Sequence, residues 1–281
     1  MADYKIKGHE KFPLREGWLT KGMQAIQEPS RVFTSDEGPD ILGVGTNMVK
    51  SIRYWMQAFR LIKEDTKMGS ELSDLGKVIF QYDEFIEDPF TIWLLHSQIA
   101  QNSSRATSWY LFFNCCEAEE FKKDEIFEVL KKELISFAGT DAFPDASLKD
   151  DVDVLLNMYS KTNEQDDPED KNRSPLASLG LIKKDKDEYV RKQPDLRLID
   201  PYLIWYEIYG LIGDETSVSI DAISKLAKNV YQLGRVSLNN YLDLLDNAGV
   251  INVVRTAGLD VVYPIAKMSQ MQIITEYYQK R

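Results

Sequence analysis

The stretch Ile41–Ile62 reads ILGVGTNMVKSIRYWMQAFRLI. Two glycines three residues from its start predict a sharp turn, and Asn47 then stands as N-cap of a sixteen-residue helix running to Ile62. At 100° per residue, Met48, Val49, Ile52, Trp55, Met56, Phe59 and Ile62 share one broad face. Asn47, Lys50, Ser51, Arg53, Tyr54 and Gln57 share the other. Lys50, Arg53 and Arg60 give this helix three cations and no acid, in a chain of net charge -11. That exception points to a surface that meets something anionic.

The flanks place this helix in a module. Upstream, Glu16–Gln27 predicts a helix with Trp18, Leu19, Met23 and Ile26 as its apolar stripe, stopped by Pro29. Ser35, Asp36 and Gly38-Pro39 predict a turn-rich loop before Ile41. Downstream, KEDTKMGSELSDLGKVIF predicts a short β-wing and a closing helix from Ser73. Helix, helix-turn-helix and wing in that order read as a winged helix over about Lys11–Tyr82. LGVGTN lacks the Gly-Lys-Ser/Thr ending of a phosphate loop, so no nucleotide is expected there.

The expected fold is mainly α, with winged-helix modules at 1–84 and 199–281 joined by a helical middle at 85–198, and small β-hairpin wings. In the middle, Asp88-Pro89 opens an apolar helix, Thr107–Phe113 is almost wholly apolar, and Lys123–Ala138 and Ser147–Tyr159 are amphipathic. Lys161–Arg173 is acidic and polar and predicts a loop. In the last part, Asp200-Pro201 opens an aromatic helix, Ser219 or Asp221 caps the next, and Ser237 caps LNNYLDLLDNAG. VINVVRTAGLDVVYPI alternates about an Ala-Gly turn as a hairpin, and a final helix starts near Ser269. The polar side of LNNYLDLLDNAG carries Asn239, Asn240, Asp243, Asp246 and Asn247, so this second helix suits packing or protein contact rather than phosphate.

With 281 residues and 43% hydrophobic content the chain has enough material for about two domains. No apolar run approaches the roughly 20 residues of a membrane helix, and MADYKIKGHEKF does not read as a signal peptide. Cys115 and Cys116 are adjacent, which predicts two reduced thiols, a cytoplasmic protein and no zinc site. Acidity argues against indiscriminate nucleic-acid binding. Ten basic residues against nine acidic ones nevertheless leave the first 65 residues at +1, so the remainder carries -12. The N-terminal part is the expected polyanion face.

The residue types on the cationic helix suit double-stranded DNA. Lys50 and Arg53 match guanine edges or phosphates, Asn47 and Gln57 match adenine, and Ser51 and Tyr54 match sugar or phosphate, with Arg15 and Lys21 in support. Catalytic candidates are fewer. His9-Glu10 has the types of a general base and its orienter. His96, behind WLL, reads as a structural histidine. Asp150, Asp151 and Asp153 open a helix, where the dipole stabilises acids. Asp150 and Asp153 share a face at i, i+3, which would suit Mg2+ held with further groups, with Asp151 and Asp153 as the acids of a catalytic site.

Read together, HEKFPLREGWLTKG, LGVGTNMVKSIRYW, DPFTIWLLH, TSWYLFFN, SLKDDVDVLLNMY and PLASLGLI resemble one bacterial family of formerly unknown function. Its members lie beside DNA phosphorothioation genes, and its best-described member is the nickase subunit of Ssp-type phosphorothioation defence. Thr46 stands where that family commonly carries Lys, one phosphate-binding charge fewer. The resemblance implies a DNA-binding component of a phosphorothioation system, partnered by other proteins of the cluster, with magnesium-dependent nicking of one strand as its reaction. Two alternatives stand beside it: a non-enzymatic DNA-binding adaptor or regulator that recruits sulfur-transfer enzymes, and a protein-interaction scaffold without DNA contact.

Overall fold

A computed structural model describes residues 3–26, 30–65, 69–161, 173–256 and 259–281. Gln27 and Pro29 at the expected end of the first helix, residues 66–68 of the expected first wing, 162–172 of the expected acidic loop and the expected Ala-Gly turn at 257–258 lie outside the described residues. The chain divides into two units, Met1–Lys192 and Gln193–Arg281.

In the first unit α1 (Trp18–Gln24) buries Trp18, Leu19 and Met23, as its apolar spacing requires. The expected turn-rich loop is instead partly helical: α2 (Gly38–Leu42) forms because Pro39 pre-sets its first turn. Gly43 ends α2 at φ 63, a left-handed conformation that glycine adopts without strain. Gly45, not Asn47, is the N-cap of α3 (Thr46–Ala58), its carbonyl accepting from Met48 and Val49 N–H at 2.8 and 3.1 Å.

α3 also stops four residues short of Ile62. Leu61 N–H reaches back to Met56 O at 2.8 Å and Arg60 N–H to Gln57 O at 3.0 Å, a Schellman stop with Arg60 at φ 56. Arginine is held in this position by its side chain, which donates to Gln98 Oε1 at 3.4 Å and to Gln101 O at 2.9 Å. Arg60 is therefore no part of a cationic helix face. Ile62 belongs to β1 (Ile62–Asp65), which pairs antiparallel with β2 (Gly69–Leu72). α4 (Asp74–Tyr82) follows, its Gly76 N–H donating to the Ser73 hydroxyl at 3.0 Å. A Cβ on Gly76 would stand 2.2 Å from Leu61 O, so only glycine lets α4 pack this closely on the end of α3.

The helices α5 (Pro89–Ala100), α6 (Thr107–Cys115), α7 (Lys123–Ala138) and α8 (Asp145–Ser160) complete the first core. Asp88 accepts from Phe90 N–H at 2.9 Å and so caps α5. Trp55, Trp93, Trp109, Phe112 and Tyr159 are wholly or almost wholly buried here. The helical middle also contains a sheet. β3 (Glu120–Lys122), β4 (Ile182–Asp185) and β5 (Glu188–Arg191) pair antiparallel in the order β3-β5-β4, with a 3-10 turn Pro175–Leu179 before β4. Strands this short, rich in Lys, Asp and Glu, carry no alternation that a sequence reading could use. α8 begins at Asp145, so Asp150, Asp151 and Asp153 sit beyond its first turn and away from the dipole end.

In the second unit α9 (Pro201–Ile212) is capped by Asp200. β6 (Val218–Ser219) leads into α10 (Ile220–Tyr231), whose cap is the Ser219 hydroxyl. α11 (Arg235–Asn247) starts after Gly234, so Ser237 lies inside the helix rather than at its cap. β7 (Ile251–Thr256) and β8 (Leu259–Pro264) form a hairpin, with β6 on the free edge of β8. α12 (Gln270–Gln279) opens with a Ser269/Gln272 capping box. The fold is thus mainly helical with small antiparallel sheets.

The two cysteines have opposite environments, Cys115 exposed and Cys116 buried. Burial pushes the Cys116 thiol up to about 12, with nearby Arg191 pulling the other way and failing to offset it. At pH 8 a thiol raised this far is almost wholly protonated, and burial also keeps reagents from it. Titration of the folded protein with a thiol reagent at pH 8 is therefore expected to modify one cysteine, and unfolding in denaturant to release the second.

Candidate nucleic-acid interface

The polar front of α3 is narrower than its helical wheel implies, because the N-terminal segment lies across it. Ser51 is 0% and Tyr54 4% exposed. Ser51 Oγ meets Phe12 O at 3.5 Å and Trp55 Nε1 donates to the same carbonyl at 3.2 Å. Gly8 rests on the Tyr54 ring, where a Cβ would stand 2.2 Å from Cδ2. Burial, and secondarily the Asp151 charge, hold the Tyr54 hydroxyl well above its ordinary range. Ser51 and Tyr54 are therefore packing residues, corrected from the expected DNA-facing set. Asn47 and Lys50 remain exposed, and Arg53 and Gln57 are half-buried.

Lys50, Arg53 and Gln57 line one wall of a concave site of about 280 Å³. The lining includes Lys5, Lys50, Arg53 and Arg105, with Gln57, Glu64 and the Tyr54 edge. Four cations and one carboxylate converge there. Lys5 is positioned by its backbone N–H, which donates to Thr107 Oγ1 at 2.8 Å. Arg105 is positioned by its backbone N–H on Asn102 Oδ1 at 3.2 Å. Lys50 Nζ lies 3.5 Å from Asn47 Oδ1. Neither Lys5 nor Arg105 was identified from sequence: each is some 50 residues from Arg53, on segments with no helical period in common with α3.

The front is also not free of acid. Glu64 from β1 takes a two-point contact from Arg53, Nε to Oε1 at 2.6 Å and Nη2 to Oε2 at 3.0 Å. Gln57 Nε2 donates to Oε2 at 2.6 Å and Ser70 Oγ to Oε1 at 3.3 Å. Partial burial works to raise the Glu64 carboxyl, but Arg53, Gln57 and Ser70 together hold it below the usual carboxylate range.

Arg15 and Lys21 stand apart from this site. Arg15 stacks over Trp18 at 5.3 Å and Phe12 at 5.8 Å and lines a separate pocket of about 390 Å³ with Glu16, Phe85 and Arg173. Lys21 Nζ donates to Leu42 O at 3.2 Å and so closes the end of α2.

The catalytic candidates are brought together only in part. His9 and Asp151 meet, both almost wholly buried. His9 Nδ1 accepts from Lys11 N–H at 3.1 Å, so the neutral ring carries its proton on Nε2 and donates to Asp151 Oδ1 at 2.8 Å. Asp151 also accepts from Lys7 N–H at 2.7 Å and from Ser108 Oγ at 2.5 Å. The His9 ring stacks on Trp55 and meets the edges of Tyr54 and Trp109. This sealed pair ties the N-terminal segment to α3, α6 and α8, and its position denies substrate access. The partner of His9 is Asp151, not Glu10, which is exposed. His96 is likewise structural, its Nδ1 2.8 Å from the Tyr159 hydroxyl.

Asp150 and Asp153 do not form a metal pair. Asp150 lies 3.3 Å from Lys7 Nζ and 3.1 Å from Lys11 Nζ, and Asp153 pairs with Lys123. With Asp151 turned into the core, these three acids do not fit a magnesium site. Among the described residues no group of three or more His, Cys, Asp or Glu is placed to hold a metal. No helix among them is long and apolar enough to cross a membrane.

The family described as "Protein of unknown function (DUF4007)" matches residues 6–278. No curated protein matches the chain. Among solved structures it is similar to SspB with a bound magnesium ion, at TM-score 0.85 and 21% identity, over 98% of this chain and 88% of that one. A second SspB crystal structure gives TM-score 0.86 and 22% identity over the same shares. At that identity the likeness establishes the fold.

The sealed pair sets a stability expectation. Asp151→Ala leaves the His9 ring, the Lys7 N–H and the Ser108 hydroxyl without their acceptor, and is expected to destabilise the protein by about 3–5 kcal/mol. Asp151→Asn keeps an acceptor oxygen and is expected to cost less. Urea unfolding followed by tryptophan fluorescence measures both.

Proposed function

We propose that this chain, which belongs to the DUF4007 family, is a DNA-binding component of a DNA phosphorothioation system. The observation that carries this reading is the convergence of Lys5, Lys50, Arg53 and Arg105 on one concave site in a chain of net charge -11. Cations gathered against the overall charge form a focused positive potential, which steers a polyanion to one place. The family resemblance of the LGVGTNMVKSIRYW motif and the fold shared with SspB supply the phosphorothioation context.

In this reading α2, α3 and the β1–β2 hairpin act as a winged helix within an N-terminal DNA-binding module at 1–84. Residues 85–198 form a helical middle, and the C-terminal part at 199–281 carries a second winged helix used for protein contact. With Ser51 and Tyr54 packed inward, the module meets DNA chiefly through phosphates rather than base edges. Double-stranded DNA and other proteins of the same gene cluster are the implied partners, in the cytoplasm.

Two roles divide within this reading. The placement of His9, Asp150, Asp151 and Asp153 on buried or lysine-paired contacts favours an adaptor that brings sulfur-transfer enzymes to DNA. SspB binds magnesium, which sustains magnesium-dependent nicking as the second reading, through residues other than these. A scaffold without DNA contact has no use for a four-cation pocket.

Lys50→Glu combined with Arg105→Glu is expected to lower duplex affinity at least about tenfold and to reduce the slope of log affinity against log salt by about 2. Fluorescence polarisation at several salt concentrations checks this, and unchanged affinity sinks the reading. Supercoiled plasmid with magnesium separates the two roles: the adaptor leaves it supercoiled, whereas a nickase converts it to open circle.

A further inference from the structure

Arginine presents two parallel N–H donors that fit the two oxygens of a carboxylate or the two non-bridging oxygens of a phosphodiester equally well. In the concave site that fork is already filled. Both Glu64 oxygens are engaged: by Arg53 at 2.6 and 3.0 Å, by Gln57 at 2.6 Å and by Ser70 at 3.3 Å. Lys5, Lys50 and Arg105 line the same concavity and form no ion pair among the described residues. The site therefore holds one satisfied cation among three open ones. Its single internal anion sits where four donors converge, on Arg53 Nε and Nη2, Gln57 Nε2 and Ser70 Oγ.

We propose that Glu64 is an internal stand-in for a phosphate, occupying the Arg53–Gln57 fork until a phosphodiester of the duplex displaces it. This rests on the DNA-binding reading above and adds to it a residue that sets affinity. The carboxylate supplies the charge and the two oxygens that a backbone phosphate would bring. Its side chain is 25% exposed and that of Arg53 37%, so the pair is open to solvent and to exchange. Solvent access lets the carboxylate exchange, and a ligand that also engages Lys5, Lys50 and Arg105 offsets the loss of the Arg53–Glu64 contact. The lone acid makes binding conditional. A single stray anion gains little by expelling Glu64, whereas a duplex offering several phosphates at once overcomes it.

The test uses the full chain, as wild type and as Glu64→Gln, which keeps the shape of the side chain but removes its charge and replaces one acceptor oxygen with an N–H donor. Duplex affinity is read by fluorescence polarisation and pyrophosphate affinity by calorimetry, with circular dichroism confirming the fold. Glu64→Ser takes the place of the Gln variant should the latter fail to fold. The expected result is duplex binding by wild type, at least about threefold tighter binding by Glu64→Gln, and loss of that gain when Arg53→Gln is added. Wild type that binds duplex, with a Glu64→Gln variant that binds no tighter, overturns the stand-in and leaves the DNA reading intact. Absence of duplex binding by both proteins overturns the DNA reading. In that case tighter pyrophosphate binding by Glu64→Gln sustains the stand-in for phosphate anions, and no such gain overturns it too.

Discussion

The described part of the first unit is organised around one buried carboxylate. Asp151 accepts from the Lys7 backbone, the His9 ring and the Ser108 hydroxyl. An ionised carboxylate in the interior is tolerable only when its oxygens are saturated with donors. Those donors come from the N-terminal segment and from α6, while Asp151 itself belongs to α8. Stacking of His9 on Trp55 adds α3. The N-terminal segment is consequently a strap drawn across the helices, and where it crosses α3 it decides which side chains face solvent.

The cationic site follows from that strap. Gly8 and His9 cover Tyr54, and the same N-terminal segment delivers Lys5 to the edge of the concavity that Lys50 and Arg53 border. A packing constraint in the core thereby composes an electrostatic feature at the surface. The acid of the site arrives by a different route. The Schellman stop at Phe59–Leu61 turns the chain sharply enough for β1 to run back beside α3, which sets Glu64 against Arg53. Arg60, which a helical wheel adds to the cationic face, is used instead to close the end of α5.

Under the proposed function this arrangement separates the binding surface from the residues with catalytic chemistry. His9 and the three aspartates that looked catalytic are spent on structure: His9 and Asp151 are sealed in the core, and Asp150 and Asp153 are paired with lysines. Under the proposed function, phosphate contacts with little base readout suit a chain that holds duplex while another activity modifies it.

Local signals in the sequence were sufficient for many of the helices and for the C-terminal hairpin. Asp88, Asp200, Ser219 and Ser269 cap helices where their spacing says they should, because a cap is a contact within three residues. The apolar stripe of α3 and the alternation of β7–β8 were legible for the same reason, since period depends only on neighbours along the chain. Short charged strands β3, β4 and β5 were not legible, because they are strands only by virtue of each other. The cationic helix was identified by itself. The burial of Ser51 and Tyr54, the arrival of Lys5 and Arg105, and the Glu64 contact were decided by the tertiary structure, because each depends on a segment from elsewhere in the chain crossing α3. His9 and Asp151 were both noted from their chemistry. That they are partners, and that the core closes over them, follows from the folded chain alone, since 142 positions separate them and no pattern along the sequence spans that distance.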